Sequence, residues 1–331
     1  MNSIQLLNAD DLLDKYQEGA RDFQGVKLTK ANLSSSYLNR TNLSHAHLKK
    51  VNFDRAKLIS ANLSHADLRQ AKLVKAQLIE VNLNNADLNS AVLKGADLSG
   101  AILSDAILEY AYLSDVCAIA ASFLNARMAN SKLDRANLTG ATLTRANLKE
   151  AHLNFAILTR TILSEANLNE ANLKGAILIR AYLHRANLQD ANLQNSDLTL
   201  ADLRNANLQG ADFSGANLEG ANLKNADLTG ANLNNANLRG ADLTNAKLDR
   251  TQTIESVLIG ANCFQASFIR ANLKNANLSH SGLLFANFEN ANLSKAKLNG
   301  ANLIGSNLQG AKLDKTQLEK AILPNASQSI D

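Results

Sequence analysis

Along almost the whole chain, apolar positions recur with a period of five. From Phe23 to Leu323 every fifth residue is apolar or small, and the register never slips. Of these 61 positions, 51 are Leu and six are Phe (Phe23, Phe53, Phe123, Phe213, Phe268, Phe288); the others are Ala118, Met128, Thr253 and Cys263. A second lattice lies two residues earlier, from Arg21 to Ala321, and is Ala at 46 of its 61 positions, with Ser, Thr or Val as most of the substitutes. The intervening positions are mostly polar. Residues 206–230, ANLQGADFSGANLEGANLKNADLTG, show the unit at its cleanest.

A period of five fits neither straight element. On an α-helix five residues advance about 500°, about 140° net, so the leucines would spiral around every side. On a flat strand an odd period sends successive leucines to opposite faces. All of them point inward only if the chain turns once per repeat. Glycine supports this independently, since 14 of the 16 fall two residues after the central position, where Asn is also frequent, as at Asn195, Asn205 and Asn225. Gly and Asn tolerate the positive φ of a tight turn. The pattern therefore predicts an all-β solenoid with a corner every five residues.

Composition agrees. The chain has no Trp, one Pro and 4% aromatic residues, yet is 46% hydrophobic, nearly all of it Ala and Leu. Such a bias marks an internal repeat and overrides the multi-domain expectation that 331 residues would otherwise carry. No basic segment followed by an apolar run opens the chain, and no stretch of about 18 apolar residues occurs. A cytoplasmic protein without a membrane contact is the expectation.

The unit A-(D/N)-L-x-x resembles the pentapeptide-repeat family, and the opening DDLLDKYQEGARDFQG, Asp10–Gly25, is similar to that of many cyanobacterial members. The resemblance implies a right-handed quadrilateral β-helix with four pentapeptides per coil; the periodicity alone gives neither the handedness nor the four. About fifteen coils follow, making a rod of roughly 70 Å at ~4.8 Å per coil. Each coil covers its neighbours, so the ends need caps.

Three segments are expected: residues 1–20 as an N-terminal capping helix, 21–324 as the repeat array, and 325–331 as a C-terminal tail. Residues 3–18 read as an amphipathic helix with Leu6, Leu7, Leu12, Leu13 and Tyr16 as its apolar stripe, Asn8 or Ser3 as its cap and Gly19 at its end. Pro324 stops strand propagation. The repeat weakens near 116–130 and 251–264, where Ala118, Met128, Thr253 and Cys263 replace leucine, read as a local irregularity or as a hinge. On twenty residues per coil, Cys117 and Cys263 lie roughly 35 Å apart. Two cysteines so placed form no disulfide.

No catalytic constellation is present: the sequence has no Walker loop, no H-E-x-x-H, no G-x-S-x-G and no C-x-x-C. His45, His47, His65 and Asp67 read as solvated side chains rather than as metal ligands. Neither an enzyme activity, a cofactor nor a small-molecule substrate is expected.

Charge is unevenly placed. Residues 23–79 hold ten bases against two acids, whereas the whole chain nets only +4. Lys30, Lys49, Lys50, Arg55, Arg69 and Lys75 stack as like-charge neighbours, which favours an anionic partner. Nucleic acid is disfavoured for want of interleaved aromatics, Tyr37 being the one expected there. Elsewhere the residue before the central position is usually Asn or Asp. Between 92 and 182 it becomes apolar or aromatic at Val92, Ile102, Ile107, Tyr112, Ile157, Ile162, Ile177 and Tyr182. With Ile157/Ile177, Ile162/Tyr182 and Val92/Tyr112 one coil apart, these read as outward strips for contact with a protein or with a second copy. The leading expectation is a non-enzymatic structural or interaction protein, with anion binding by coils 23–79 as the alternative. The family resemblance also offers a DNA-mimic role toward gyrase. That role needs an acidic surface, which this chain lacks.

Overall fold

Five residues per side and one corner per repeat leave the backbone little choice about its hydrogen bonds. The computed structural model describes residues 7–324 and shows how each is spent. Residue i pairs in parallel with residue i+20, as in Asp22 with Asn42 and Asn42 with Asn62, so four pentapeptides make one coil and each side contributes a single bridging residue. The sides are too short to count as strands in their own right. The chain divides into two compact units, Met1–Asn167 and Leu168–Asp331, each built in this way.

The five residues Asn42–Ala46 in the first unit show where each amide goes. Asn42 N donates to Arg21 O in the preceding coil at 2.7 Å, while Leu43 N and His45 N donate to Asn62 O at 2.7 Å and Ser64 O at 2.9 Å in the next. Ala46 N closes the corner on Leu43 O at 3.2 Å. One amide, that of Ser44, reaches no carbonyl; it donates to Asn42 Oδ1 at 3.1 Å. In the second unit Ser214 N likewise donates to Asp212 Oδ1 at 2.9 Å. The Asn/Asp of the motif is thus an acceptor for the one amide that the coil geometry strands.

Each corner is a type II turn, with positive φ confined to its second central residue. Glycine fills many of these positions, but Lys30 (φ 63°), Tyr110 (φ 58°) and Phe155 (φ 56°) adopt the same conformation. A non-glycine residue there gives up about 1–2 kcal/mol, and the surrounding ladder holds it in place.

The leucine and alanine lattices are buried from Leu33 to Leu303, and from Leu308 on their residues are half-buried or exposed. Most serines and threonines in the alanine lattice donate their hydroxyl to the carbonyl three residues earlier, as Thr41 does to Leu38 O at 2.6 Å and Ser281 to Leu278 O at 2.6 Å, whereas Thr161 reaches Leu138 O in the preceding coil at 2.7 Å. The weakened stretches keep this geometry. Ala118 and Met128 are fully buried around Phe123. Thr253 donates to Thr251 Oγ1 at 3.0 Å, and the large Phe268 of the same coil stacks on Phe288 at 4.9 Å. Small and large core residues compensate within a coil, so neither stretch is a break.

Helix α1 spans Ala9–Gln17, starting later than the residue 3 expected from sequence. Asn8 caps it through a reciprocal pair, Asp11 N to Asn8 Oδ1 at 2.9 Å and Asn8 N to Asp11 Oδ2 at 3.1 Å. Ser3 and Leu6 lie outside the described residues, as does the tail 325–331. Leu12 is buried, Tyr16 donates to Asn39 O at 3.4 Å, and the Arg21 guanidinium lies 3.8 Å from the Tyr16 ring centre. The first leucines beside the helix are buried, Leu28 at 3% exposure, whereas Leu323 at the other end is 40% exposed. No helix among the described residues is long and apolar enough to cross a membrane.

Candidate functional site

A coil of twenty residues gives the first unit four walls, each bordered by two corners. One of them collects most of the residues that the sequence singles out. Its centre line is the bridged column Asn32, Asn52, Lys72, Val92, Tyr112, Lys132 and His152. Because side chains at this position face outward between two corners, the residues of the turns 29–30, 49–50 and 69–70 edge it on one side. Those of 34–35, 54–55, 74–75 and 94–95 edge it on the other.

All six candidate anion contacts fall on these edges. Lys30, Lys49, Lys50 and Arg69 stand on one edge and Arg55 and Lys75 on the other. The column adds Lys72, and Lys94 extends the second edge; both are exposed. Arg55 and Lys75 also line a shallow groove of about 450 Å³ with Ser34, Ser35, Asn52, Asp54 and Val74.

Acids are scarce on this part of the wall and are already committed. Between turns 29–30 and 94–95, Asp54 is its one carboxylate, and its Oδ1 accepts from Val74 N at 2.9 Å. It thereby replaces the acceptor that Lys72 cannot supply. Of the cations, Arg69 is paired: its Nε and Nη2 donate to Asp67 at 2.8 and 2.6 Å. These bonds hold the Asp67 carboxyl below its ordinary value despite partial burial, and push the Arg69 guanidinium up. Further along, Glu109 is bound to Arg127 at 2.7 Å and Asp115 to Arg135 at 2.7 Å.

The apolar candidates of the first unit are spread over its four walls. Within the first unit only Val92 and Tyr112 bridge each other, on this same wall. Ile102 stands between Asn82 and Ser122, Ile107 between Asp87 and Arg127, and Ile157 beside Asn137, each on a different wall. Ile162 shares Ile102's column but is separated from it by Ser122 and Thr142. In the second unit Ile177 pairs with Asp197 and Tyr182 with Asp202. Ile102, Tyr112, Ile162, Ile177 and Tyr182 are exposed, and Val92, Ile107 and Ile157 are half-buried.

Sequence reasoning missed the corner aromatics. Tyr110 (56% exposed) and Phe155 (59%) occupy left-handed corner positions where glycine or asparagine is ordinary, and both edge the wall that carries Tyr112 (44%). Only a coil length of twenty brings residues 110, 112 and 155 onto the wall of Lys50 and Lys75. The Lys132 ammonium lies 4.9 Å from the Tyr112 ring centre. His45 and His65 stack at 4.8 Å, but among the described residues no group of three or more His, Cys, Asp or Glu is placed to hold a metal.

The repeat itself decides the relationship. A family model described as pentapeptide repeats matches overlapping stretches from residues 22–54 through 286–325. The chain belongs to the pentapeptide-repeat family. Its members fold as right-handed β-helices and are generally structural or interaction proteins, and the i to i+20 parallel ladder with one short helix agrees with that fold. Among solved structures, this pentapeptide-repeat chain is similar to HetL, a pentapeptide-repeat protein involved in heterocyst differentiation regulation from the cyanobacterium Nostoc sp. strain PCC 7120. Identity is 26%, covering 98% of this chain and 100% of that one, with a TM-score of 0.23. Full-length QnrB1, a plasmid-mediated fluoroquinolone resistance protein, is 22% identical over 58% of this chain and 92% of its own, with a TM-score of 0.43. The pentapeptide-repeat protein alr5209 of Nostoc PCC 7120 is 29% identical over 37% of this chain and 82% of its own, with a TM-score of 0.25. No curated protein matches the chain.

Proposed function

We propose that this pentapeptide-repeat chain is a non-enzymatic interaction protein whose working surface is the wall centred on Lys72, Val92 and Tyr112. One observation carries the reading: the apolar pair Val92–Tyr112 and the cations of both neighbouring edges share a wall, while the remaining apolar candidates of the first unit lie on its other three walls. A basic field that steers a partner, beside an exposed aromatic that anchors it, is the usual make-up of a contact surface. The groove beside Arg55 and Lys75 is shallow and open, which suits the presentation of a surface rather than a reaction.

The test compares two variants in pull-downs from native lysate, with and without nuclease. Tyr112→Asn combined with Lys50→Gln and Lys75→Gln alters the working wall; Ile102→Asn alters the opposite one. Loss of the recovered partner in the first variant and its retention in the second is the expected outcome. Equal recovery by both variants overturns the assignment of the wall.

A further inference from the structure

We infer that the wall binds a single-stranded nucleic acid, its backbone running between the two basic edges and a base stacking at Tyr112. This rests on the choice of wall made above and adds the chemistry of the partner. Four features lead to it.

The first is the field. Of the eight cations between turns 29–30 and 94–95, only Arg69 is in salt-bridge contact with a carboxylate among the described residues, Lys49 and Lys94 acting on Asp67 and Asp115 at longer range, and the sole carboxylate of this stretch, Asp54, is tied to a backbone amide. Like charges stacked at the ~4.8 Å coil spacing repel one another along both edges. A polyanion lying between the edges relieves both rows at once.

The second is a pair of unused donors. At Val92 and Tyr112 the usual Asn or Asp is absent, and among the described residues nothing accepts a hydrogen bond from the Lys94 or Ser114 amide. In other repeats that amide meets an outward carboxamide or carboxylate oxygen, so it faces the outer surface and suits an anionic oxygen from a ligand.

The third is the aromatics. Tyr110 and Tyr112 follow the basic rows on the same wall, and Phe155 lies beyond them. A basic track continued by exposed aromatic faces is the arrangement that single strands recognise, phosphates on the cations and bases on the rings. An acidic peptide would satisfy the cations but would leave the rings unused. A base stacking on Tyr112 takes the place of the Lys132 ammonium, which then becomes free to meet a phosphate.

The fourth is dimension. From turn 29–30 to turn 109–110 the wall rises four coil steps, about 19 Å, or roughly five nucleotides at the ~3.4 Å rise of a stacked strand. Duplex DNA buries its base faces and cannot use the tyrosines, so a preference for single strands follows.

The experiment is fluorescence anisotropy with the full chain and a labelled ten-nucleotide oligo(dT), against duplex of the same length and against poly-glutamate. About five phosphate contacts predict a roughly 100-fold loss of affinity between 50 and 200 mM salt. Lys30→Gln, Lys50→Gln, Lys75→Gln and Lys94→Gln together should abolish binding. Tyr112→Ala should weaken it about 5- to 100-fold, and Tyr112→Phe should retain it. All of these side chains are on the surface, and circular dichroism checks that each variant folds. Poly-glutamate binding equal to oligo(dT) and indifferent to Tyr112→Ala overturns the nucleic-acid assignment while leaving the wall as an anionic-protein site. Absence of binding to every polyanion also overturns it, and the pull-down above then decides separately whether the wall is used at all.

Discussion

Two adjacent residues, Asp197 and Leu198, should respond to substitution in opposite ways if the inward and outward positions are as described. Leu198 is fully buried, and its backbone is clamped by Leu198 N to Asn217 O at 2.7 Å and by Leu178 N to Asp197 O at 2.6 Å. With both flanking coils held at ladder distance, the cavity left by Leu198→Ala cannot collapse. Its cost should fall in the upper part of the ~2–5 kcal/mol range for such truncations. Leu198→Asp loses the same burial and adds the penalty of a carboxyl without a partner, several kcal/mol more, part of which is relieved by protonation. Asp197→Leu removes the acceptor for Thr199 N (3.0 Å) and for its hydroxyl (2.5 Å), about 1–2 kcal/mol in all. Because repeat arrays open locally, native-state hydrogen exchange by mass spectrometry on peptides spanning 190–206 reads these costs better than a global melt. The expected order of protection loss is Leu198→Asp, then Leu198→Ala, then Asp197→Leu. Equal losses for Leu198→Asp and Asp197→Leu would falsify the in/out assignment and with it the description of the walls.

Two further outcomes can be checked in solution. Cys263 is fully buried, and burial, with the nearby Asp242 adding to it, pushes its thiol up to about 12, whereas Cys117 is half-buried with Ser99 Oγ 3.3 Å from its sulfur. A disulfide-exchange reagent at pH 8 should therefore modify one thiol in the native chain and two in denaturant; prompt reaction of both natively would contradict the burial. Asp202 is held below the ordinary carboxylate value of 3.8 chiefly by the Arg204 guanidinium, which donates at 2.8 and 2.6 Å. Its stabilisation is complete above the unfolded value and lost as pH falls through the lower folded one. Urea midpoints of wild type and Asp202→Asn should thus differ at pH 7 and converge as pH falls through the lowered folded value; a gap that persists in acid beyond it would refute the ionic origin.

The solenoid was legible because its signal repeats in unbroken register: inward leucines, compact alanines and corner glycines each exclude straight elements. What the sequence did not reveal is why Asn or Asp precedes each leucine. Read as an outward polar residue, Asn42 is unremarked; in the fold it answers the Ser44 amide. The wall was hidden for a different reason. Lys50, Lys75 and Tyr112 are far apart in the chain, and only the twenty-residue coil aligns them. The corner aromatics escaped because left-handed positions suggest glycine, and nothing in the local sequence marks Tyr110 as an exception that the ladder enforces.

The stranded amide also distinguishes one stretch of the array from another. From Gln189 to Thr244 in the second unit, every such amide has a side-chain acceptor two residues earlier. That surface leaves no backbone donor of this kind for a partner. In the first unit the run Ser104, Glu109, Ser114, Ile119, Leu124 and Ala129 has no such acceptor among the described residues. Each lost acceptor gives up roughly 1 kcal/mol of folding stability. At Lys72 the chain restores the bond by recruiting Asp54, at the expense of placing an acid among cations; at Val92 and Tyr112 it restores nothing. Of these open amides, those of Lys94 and Ser114 stand next to the most basic rows, where the lost bond leaves a donor that a ligand can use.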